Sequence, residues 1–555
     1  MPRPGLSEDG FPQTQFSAAV PLASSSDHLA GAAAALRRGD PHGAFDICRE
    51  ALAADPHNPV ALNLAGVAAF QAGLAEEALE LLHAAVSQAP RDAETQTNLG
   101  NVLAYLGRVG DAVAAYERAM EADPEYADAL FNFGILMAAE GQPAKAVEAY
   151  EKTLEKVSDH GLAWQGLGNA LNALGRLDAA KTAFETGLEF DPAMAMARTN
   201  LASVLHELGD YVSAAAQCRQ ALTVEPDLHE ARYNLGLALQ ELGHHGDAIE
   251  AYEQVLSDQP QHAAAALNIA YARQQLGQLD AASLAFERAI AIDPDFSKAH
   301  ANLADLRLQQ GDPAAALAVC DGYLDRHPGN TNLLAFKAVA LEDLGQAQAA
   351  GLIDFDRFLH VHQIEVPDIY ANLAGFNAAL AAHIETHPSL TFEPRSHATR
   401  QGRHSGELLV EPKGPFADLE KVILAAVESY KTAIGKDLAH PFLRALPEGM
   451  MLSVWGVVME AAGHQIPHIH PAAWLSGVYY AKVPGIVAEG TPDKAGWIEF
   501  GRLPDHFHNE TEPQTRAIRP DPGLMVLFPS YFHHRTIPFH ADGTRISIAF
   551  DLIAA

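Results

Sequence analysis

Through the first two thirds of the chain, apolar residues recur at helical spacing on both sides of a regularly placed glycine. Leu99, Val102 and Leu103 precede Gly107, and Ala112, Val113 and Tyr116 follow it. Counted from Ser25 the pattern returns every 34 residues without an insertion. Glycine holds the fifteenth position from Gly39 to Gly345 and alanine the twentieth from Ala44 to Ala350. Proline holds the thirty-second from Pro56 to Pro328, with Ser158 the exception. Each period therefore predicts a pair of helices. The glycine closes the first in a conformation it adopts cheaply, the alanine lets the two helices approach, and the proline stops the second. No single pair can bury its apolar face, so the pairs must stack into a superhelix.

Beyond residue 366 the period is lost. The tenth repeat departs after Ala350 and reads as a cap joining the next domain. Residues 369–384 and 416–434 read as helices, the second with Val422, Ile423, Ala426 and Val427 on one face. After Pro447 short strand-like runs split by Gly and Pro follow, at 451–459, 475–483, 497–500, 523–528 and 545–552. They predict a compact β-sandwich with helical support. The expected organisation is a flexible lead-in at 1–24, a superhelix at 25–366, a helical support at 367–445 and a β core at 446–555.

Charge sharpens this division. Seventy acidic against 37 basic residues give −33. Of these, 20 acidic and 15 basic lie from Pro367 onward, which leaves 50 and 22, or −28, in residues 1–366. Such a surface repels nucleic acid and anionic membrane and favours a basic partner. No apolar run approaches the ~20 residues of a membrane span. The three cysteines, Cys48, Cys218 and Cys320, share one repeat position with Leu82, Tyr116 and Phe184 and read as core residues, so the expected compartment is the cytoplasm.

The 34-residue spacing resembles the tetratricopeptide repeat over ~340 residues. At its sixth position stand Asn98, Asn132, Asn200, Asn234, Asn268 and Asn302. This resembles the carboxamide ladder with which O-linked N-acetylglucosamine transferases hold an extended peptide, and it implies a protein or peptide partner along the concave surface. An Asn side chain offers both a donor and an acceptor to a peptide unit.

The chemistry is concentrated near the C-terminus. His468 and His470 precede one predicted strand, His534 follows another, and residues two apart in extended chain share a face. Three imidazoles suit an open metal site. Arg545 and Ser547 likewise share a strand face, a guanidinium and a hydroxyl suited to a carboxylate. The runs Pro467–Tyr480, Gly523–Arg535 and Arg545–Phe550 resemble the bacterial and phage family of 2-oxoglutarate/Fe(II) oxygenases, whose members are often fused to tetratricopeptide repeats. The resemblance covers residues 445–553. It implies a double-stranded β-helix, or jelly roll, as the core of an α+β domain. It also implies Fe(II), 2-oxoglutarate and dioxygen, with ascorbate as an activator.

The chain departs from the wider superfamily at His470, where an Asp or Glu is usual, so three neutral ligands are expected. His464 and His533 are the competitors, and the ten residues between His534 and Arg545 favour His534. Of Tyr479 and Tyr480 one must face the interior and touch the co-substrate. Val478, Val526, Phe528, Ile548 and Phe550 form the expected apolar surround. His506, His508, His540 and Arg502 read as solvated, and Trp455 and Trp497 as core. The leading expectation is a protein or peptide hydroxylase. A cupin-like three-histidine dioxygenase without 2-oxoglutarate and a non-catalytic metal-binding scaffold are the alternatives.

Overall fold

The computed structural model describes residues 26–393, 398–485, 487, 492–507, 511–540 and 543–554. The predicted lead-in and His508 lie outside the described residues. The chain divides into two compact units, Met1–Asp258 and Gln259–Ala555.

The first unit is built of helix pairs from α1 (Ser26–Arg37) to α14 (His245–Asp258). The turn within one pair shows how the sequence sets them. Gly107 adopts φ 73°. Its N–H donates to Ala104 O at 3.0 Å and the next N–H donates to Leu103 O at 2.8 Å, the pair of hydrogen bonds that ends a helix on a left-handed residue. Asp92 opens the same helix by accepting from Thr95 N at 3.0 Å. Within five of these pairs the helices touch at a second glycine, whereas Ala32 and Ala202 hold that position in the other two. A Cβ on Gly236 would come within 2.5 Å of the buried Tyr252 ring. Cys48 and Cys218 are buried free thiols in these cores, and burial pushes both up to about 12, which leaves them inert.

The second unit begins with the last repeats, α15 (Ala263–Gln275) to α19 (Thr331–Asp343), and a four-residue α20 (Ala349–Leu352) where the tenth repeat breaks off. Cys320 is buried here. Then come α21 (Phe355–Phe358), β1 (His360–Gln363), α22 (Leu373–Glu385), β2 (Thr391–Phe392), β3 (Thr399–His404), α23 (Phe416–Ile434) and α24 (Pro441–Arg444). The remaining strands are β4 (Met450–His468), β5 (Ala473–Lys482), β6 (Ile498–Phe500), β7 (Arg516–Ile518), β8 (Leu524–Pro529), β9 (His534–Thr536) and β10 (Arg545–Ala554).

One curled antiparallel sheet runs in the order β1-β8-β5-β10-β4-β9-β6-β7, with β3 joined to β4. The curl comes from β4. It pairs with β10 along Met450–Met459, with β3 from Val457 to Gln465, and with β9 at Gln465 and His468. A register shift between Arg400 and Gly402 and Ala462 at φ 71° mark the bend. The result is a double-stranded β-helix. The helices expected at 367–445 are joined there by the short strands β2 and β3, and β1 precedes them at His360–Gln363.

Helices α22 and α23 cover the outer face. Phe376, Leu380, Ile423 and Tyr430 pack in one core with Tyr479, Ile548 and Phe550, and the same core includes Leu333, Leu334 and Ala335 of α19.

Candidate metal centre

His468 closes β4 directly opposite His534, the first residue of β9. His470 stands two residues on, its backbone N–H donating to Ser530 O at 3.0 Å. The three side chains offer nitrogens within 4.8 Å of one another. Their outer nitrogens are all engaged by acceptors. His468 Nδ1 lies 2.8 Å from Ile466 O, His534 Nδ1 lies 3.0 Å from Phe532 O, and His470 Nδ1 lies 2.7 Å from Asp551 Oδ1. An Nδ1 facing only an acceptor carries the proton, so each Nε2 keeps its lone pair for a shared cation. Burial, with His470 beside it, lowers His468 to about 3, and burial with both neighbours holds His534 well below its ordinary value. Both rings are neutral at pH 7 and can ligate. Three imidazoles with tied outer nitrogens fit a first-row divalent ion such as Fe(II).

The competitors are placed elsewhere. His464 bonds Ala462 O at 3.2 Å and stands outside the cluster. His533 alternates to the other side of the chain, where it lines a small cavity with Ala338, Val339 and Glu342 of α19. Burial lowers it to about 4. His540 and Arg502 are exposed. His506 is exposed as well, yet it is not merely solvated, since its Nε2 lies 3.6 Å from Asp305 Oδ1 on α17 (Ser297–Gln309).

A cavity of about 240 Å³ joins the histidines to Tyr480, Arg545 and Ser547. Arg545 is only 2 % exposed. Its Nη1 donates to Thr536 Oγ1 at 3.0 Å and meets Met459 Sδ at 3.5 Å, while its Nε has no partner. Among the described residues no carboxylate pairs with it. The Tyr480 ring lies 5.2 Å from the guanidinium, and its hydroxyl is buried without a well-directed partner. Tyr479 turns outward and its hydroxyl donates to Asn377 of α22. Tyr480 is thus the inner tyrosine.

Of the expected apolar surround only Val478 and Phe528 line the cavity. Ile548 and Phe550 alternate into the core shared with the helices, and Val526 also lies in that core away from the cavity. Trp455, expected in the core, lines the cavity and stacks between His404 and His470 with centroids 5.9 and 5.7 Å away. Trp497 remains packed with Val487 and Phe539. Sequence reasoning missed Asp551 and Thr536. The alternation from Arg545 through Ser547 and Ala549 places Asp551 on the same face, which is the signal that could have found it.

Asn98, Asn132 and Asn268 are buried, and Asn200, Asn234 and Asn302 are half-buried. Several bond to the preceding repeat: Asn98 Nδ2 to Asn63 Oδ1 at 3.0 Å, Asn200 Nδ2 to Asn169 Oδ1 at 2.8 Å and Asn302 Nδ2 to the Tyr271 hydroxyl at 2.7 Å. These bonds stitch neighbouring repeats together.

The sequence model of the family described as "Putative 2OG-Fe(II) oxygenase" matches residues 453–551. Tetratricopeptide-repeat models match seven stretches between residues 35 and 361. This chain is a tetratricopeptide-repeat protein fused to a domain of the 2OG-Fe(II) oxygenase family. The three histidines and Arg545 all belong to, or border, the strands of that oxygenase domain. Among solved structures a part of this chain is similar to YrrB, described as a TPR protein with an unusual peptide-binding site. The identity is 26 %, covering 33 % of this chain and 95 % of that one, with a TM-score of 0.31. It is similar to MamA at 30 % identity, covering 29 % and 94 %, with a TM-score of 0.27. It is similar to pilF of Pseudomonas aeruginosa at 20 % identity, covering 37 % and 93 %, with a TM-score of 0.34. No curated protein matches the chain.

Proposed function

We propose that the protein is a 2-oxoglutarate- and Fe(II)-dependent dioxygenase that hydroxylates a protein or peptide segment held by its repeats. The observation that carries this reading is the buried guanidinium of Arg545, without a counter-charge, on the same cavity as three imidazoles with free Nε2 atoms. A buried unpaired cation is costly, and a dicarboxylate entering the cavity relieves that cost. Arg545 and Ser547 would take the distal carboxylate, with the Tyr480 hydroxyl beside them, and His468, His470 and His534 would hold the metal. When bound, iron(II) and 2-oxoglutarate supply the oxidant that places one atom of dioxygen on a C–H bond, with succinate and carbon dioxide released. Val478, Phe528 and Trp455 wall the site and limit water.

The cavity is smaller than the ~300–1,000 Å³ of sites for drug-sized ligands. It suits the co-substrate together with one protruding side chain. The −28 of residues 1–366 favours a basic segment over nucleic acid, and the half-buried Asn200, Asn234 and Asn302 offer it carboxamides. Unpaired buried thiols agree with work in the cytoplasm. Ascorbate would serve as an activator by keeping iron ferrous. A cupin-like three-histidine reading is favoured by the all-imidazole set alone and gives Arg545 no role.

The test is succinate formation under air with Fe(II), ascorbate and 2-oxoglutarate, comparing the wild type with His534→Ala and Arg545→Ala. Slow turnover in the wild type that is lost in both variants supports the reading. Iron binding without any succinate would transfer the weight to the cupin-like alternative.

A further inference from the structure

We infer that Asp551 is the carboxylate of this metal centre, acting through His470 as a positioning residue rather than as a ligand. The inference rests on the reading of the three histidines as metal ligands.

Asp551 Oδ1 lies 2.7 Å from His470 Nδ1 and accepts from Ser476 Oγ at 2.6 Å. Ser476 Oγ is in turn 2.8 Å from Ser530 Oγ, and the Ser530 carbonyl holds the backbone N–H of His470. Asp551 and Ser476 are cross-strand partners on β10 and β5, so sheet register fixes the carboxylate where the imidazole needs it. Both side chains of the Asp551–His470 pair are only 13 % exposed. Among the described residues Asp551 has no lysine or arginine partner, and its one ion-pair contact is His470.

The other two rings donate hydrogen bonds from Nδ1 to neutral backbone carbonyls. Asp551 is therefore the one charged acceptor in the set. A carboxylate on Nδ1–H fixes the tautomer and makes Nε2 a stronger donor. It also brings next to a divalent ion with three neutral ligands the negative charge that position 470 itself lacks. Asp551 is not within the three-residue group and meets it through His470 Nδ1.

The experiment uses the full-length metal-free protein with Co(II) as the probe, followed by its d–d absorption, by the exchangeable imidazole N–H resonances and by melting. Asp551→Asn keeps an acceptor for Nδ1 but removes the charge. It is expected to weaken Co(II) affinity roughly 10–100-fold and to move the His470 N–H resonance, with little change in metal-free melting. Asp551→Glu, which restores the charge, is expected to bind Co(II) more tightly than Asp551→Asn. Wild-type affinity and an unmoved resonance in Asp551→Asn would overturn the inference, as would Asp551→Glu binding no better than Asp551→Asn. Should Asp551→Asn fail to fold, Asp551→Glu against wild type decides: unchanged absorption and an unmoved resonance would also overturn it. Wild-type protein that binds Co(II) as expected yet forms no succinate defeats only the oxygenase reading.

Discussion

A guanidinium buried without a counter-charge destabilises the fold that carries it. At Arg545 the proposed recognition of a co-substrate would relieve that cost, since Nε has no partner and Nη1 meets only a hydroxyl and a thioether. Arg545→Met should abolish 2-oxoglutarate-dependent succinate formation while leaving Co(II) affinity within a factor of two. It should also raise the stability of the metal-free protein by ~1–4 kcal/mol, read by denaturant unfolding. A loss of stability in this variant would contradict the account of the cavity as an empty anion receptor. A second residue-scale prediction concerns pH. Burial, then repulsion from Asp92, raises the Glu94 carboxyl to about 7, against the one hydrogen bond from Asn63. The folded state therefore holds a proton that the unfolded chain releases near ~4.3. Stability from this group is full below that value and is lost as pH rises toward 7. Glu94→Gln should flatten the melting temperature between pH 4.5 and 7 compared with wild type.

At the scale of elements, the 34-residue period made every helix of the repeats readable, because glycine, alanine and proline each mark a fixed backbone event. The glycines do two different jobs, however. Gly243 sits at φ 78° with open space around it, whereas Gly236 has an ordinary helical backbone against the Tyr252 ring. Gly243→Ala should cost ~1–2 kcal/mol through backbone strain, and Gly236→Ala ~1–3 kcal/mol through overpacking. Only Gly236→Ala should recover when combined with Tyr252→Leu, measured by chemical unfolding. In the oxygenase domain the strands with apolar runs were legible and the polar ones were not. Residues Thr399-Arg-Gln-Gly-Arg-His of β3 show no alternation, because they pair along the bend of β4 instead of covering a core. The three clustered histidines, Arg545 and Ser547 stood out as motif residues. Parity separated Tyr479 from Tyr480 but could not say which faced inward, since that depends on α22 lying against the outer face.

At the scale of the whole molecule, the loss of sequence period at residue 366 does not coincide with the division of the structure, which falls between Asp258 and Gln259. The last repeats share a continuous core with the sheet, from Leu333 and Leu334 to Val454 and Phe550. Polar bonds reinforce it, Thr331 Oγ1 donating to Ala473 O at 2.8 Å and Gln514 N to Glu342 Oε1 at 2.6 Å. A fragment beginning at Gln259 should fold cooperatively and bind Co(II). One beginning at Pro367 should be insoluble or molten, because it exposes the apolar residues that α19 covers. Calorimetry of the two fragments decides the matter, and equal cooperativity would refute the shared core.

A strict period also makes the repeats a ruler that can be cut at any graduation. Excising residues 143–176 removes 34 residues and joins Gln142 to Leu177, so that α7 (Ala127–Ala139) is followed by α10 (Leu177–Phe190) in place of α8 (Pro143–Lys156). Gly134 would then face Phe184, the ring that already receives Gly168, instead of Tyr150. The shortened protein should fold, with stability reduced by roughly one repeat and its interface, and keep the metal centre untouched. Change in such a chain can proceed by counting: whole units lost or copied alter its reach without any side chain having to be reinvented.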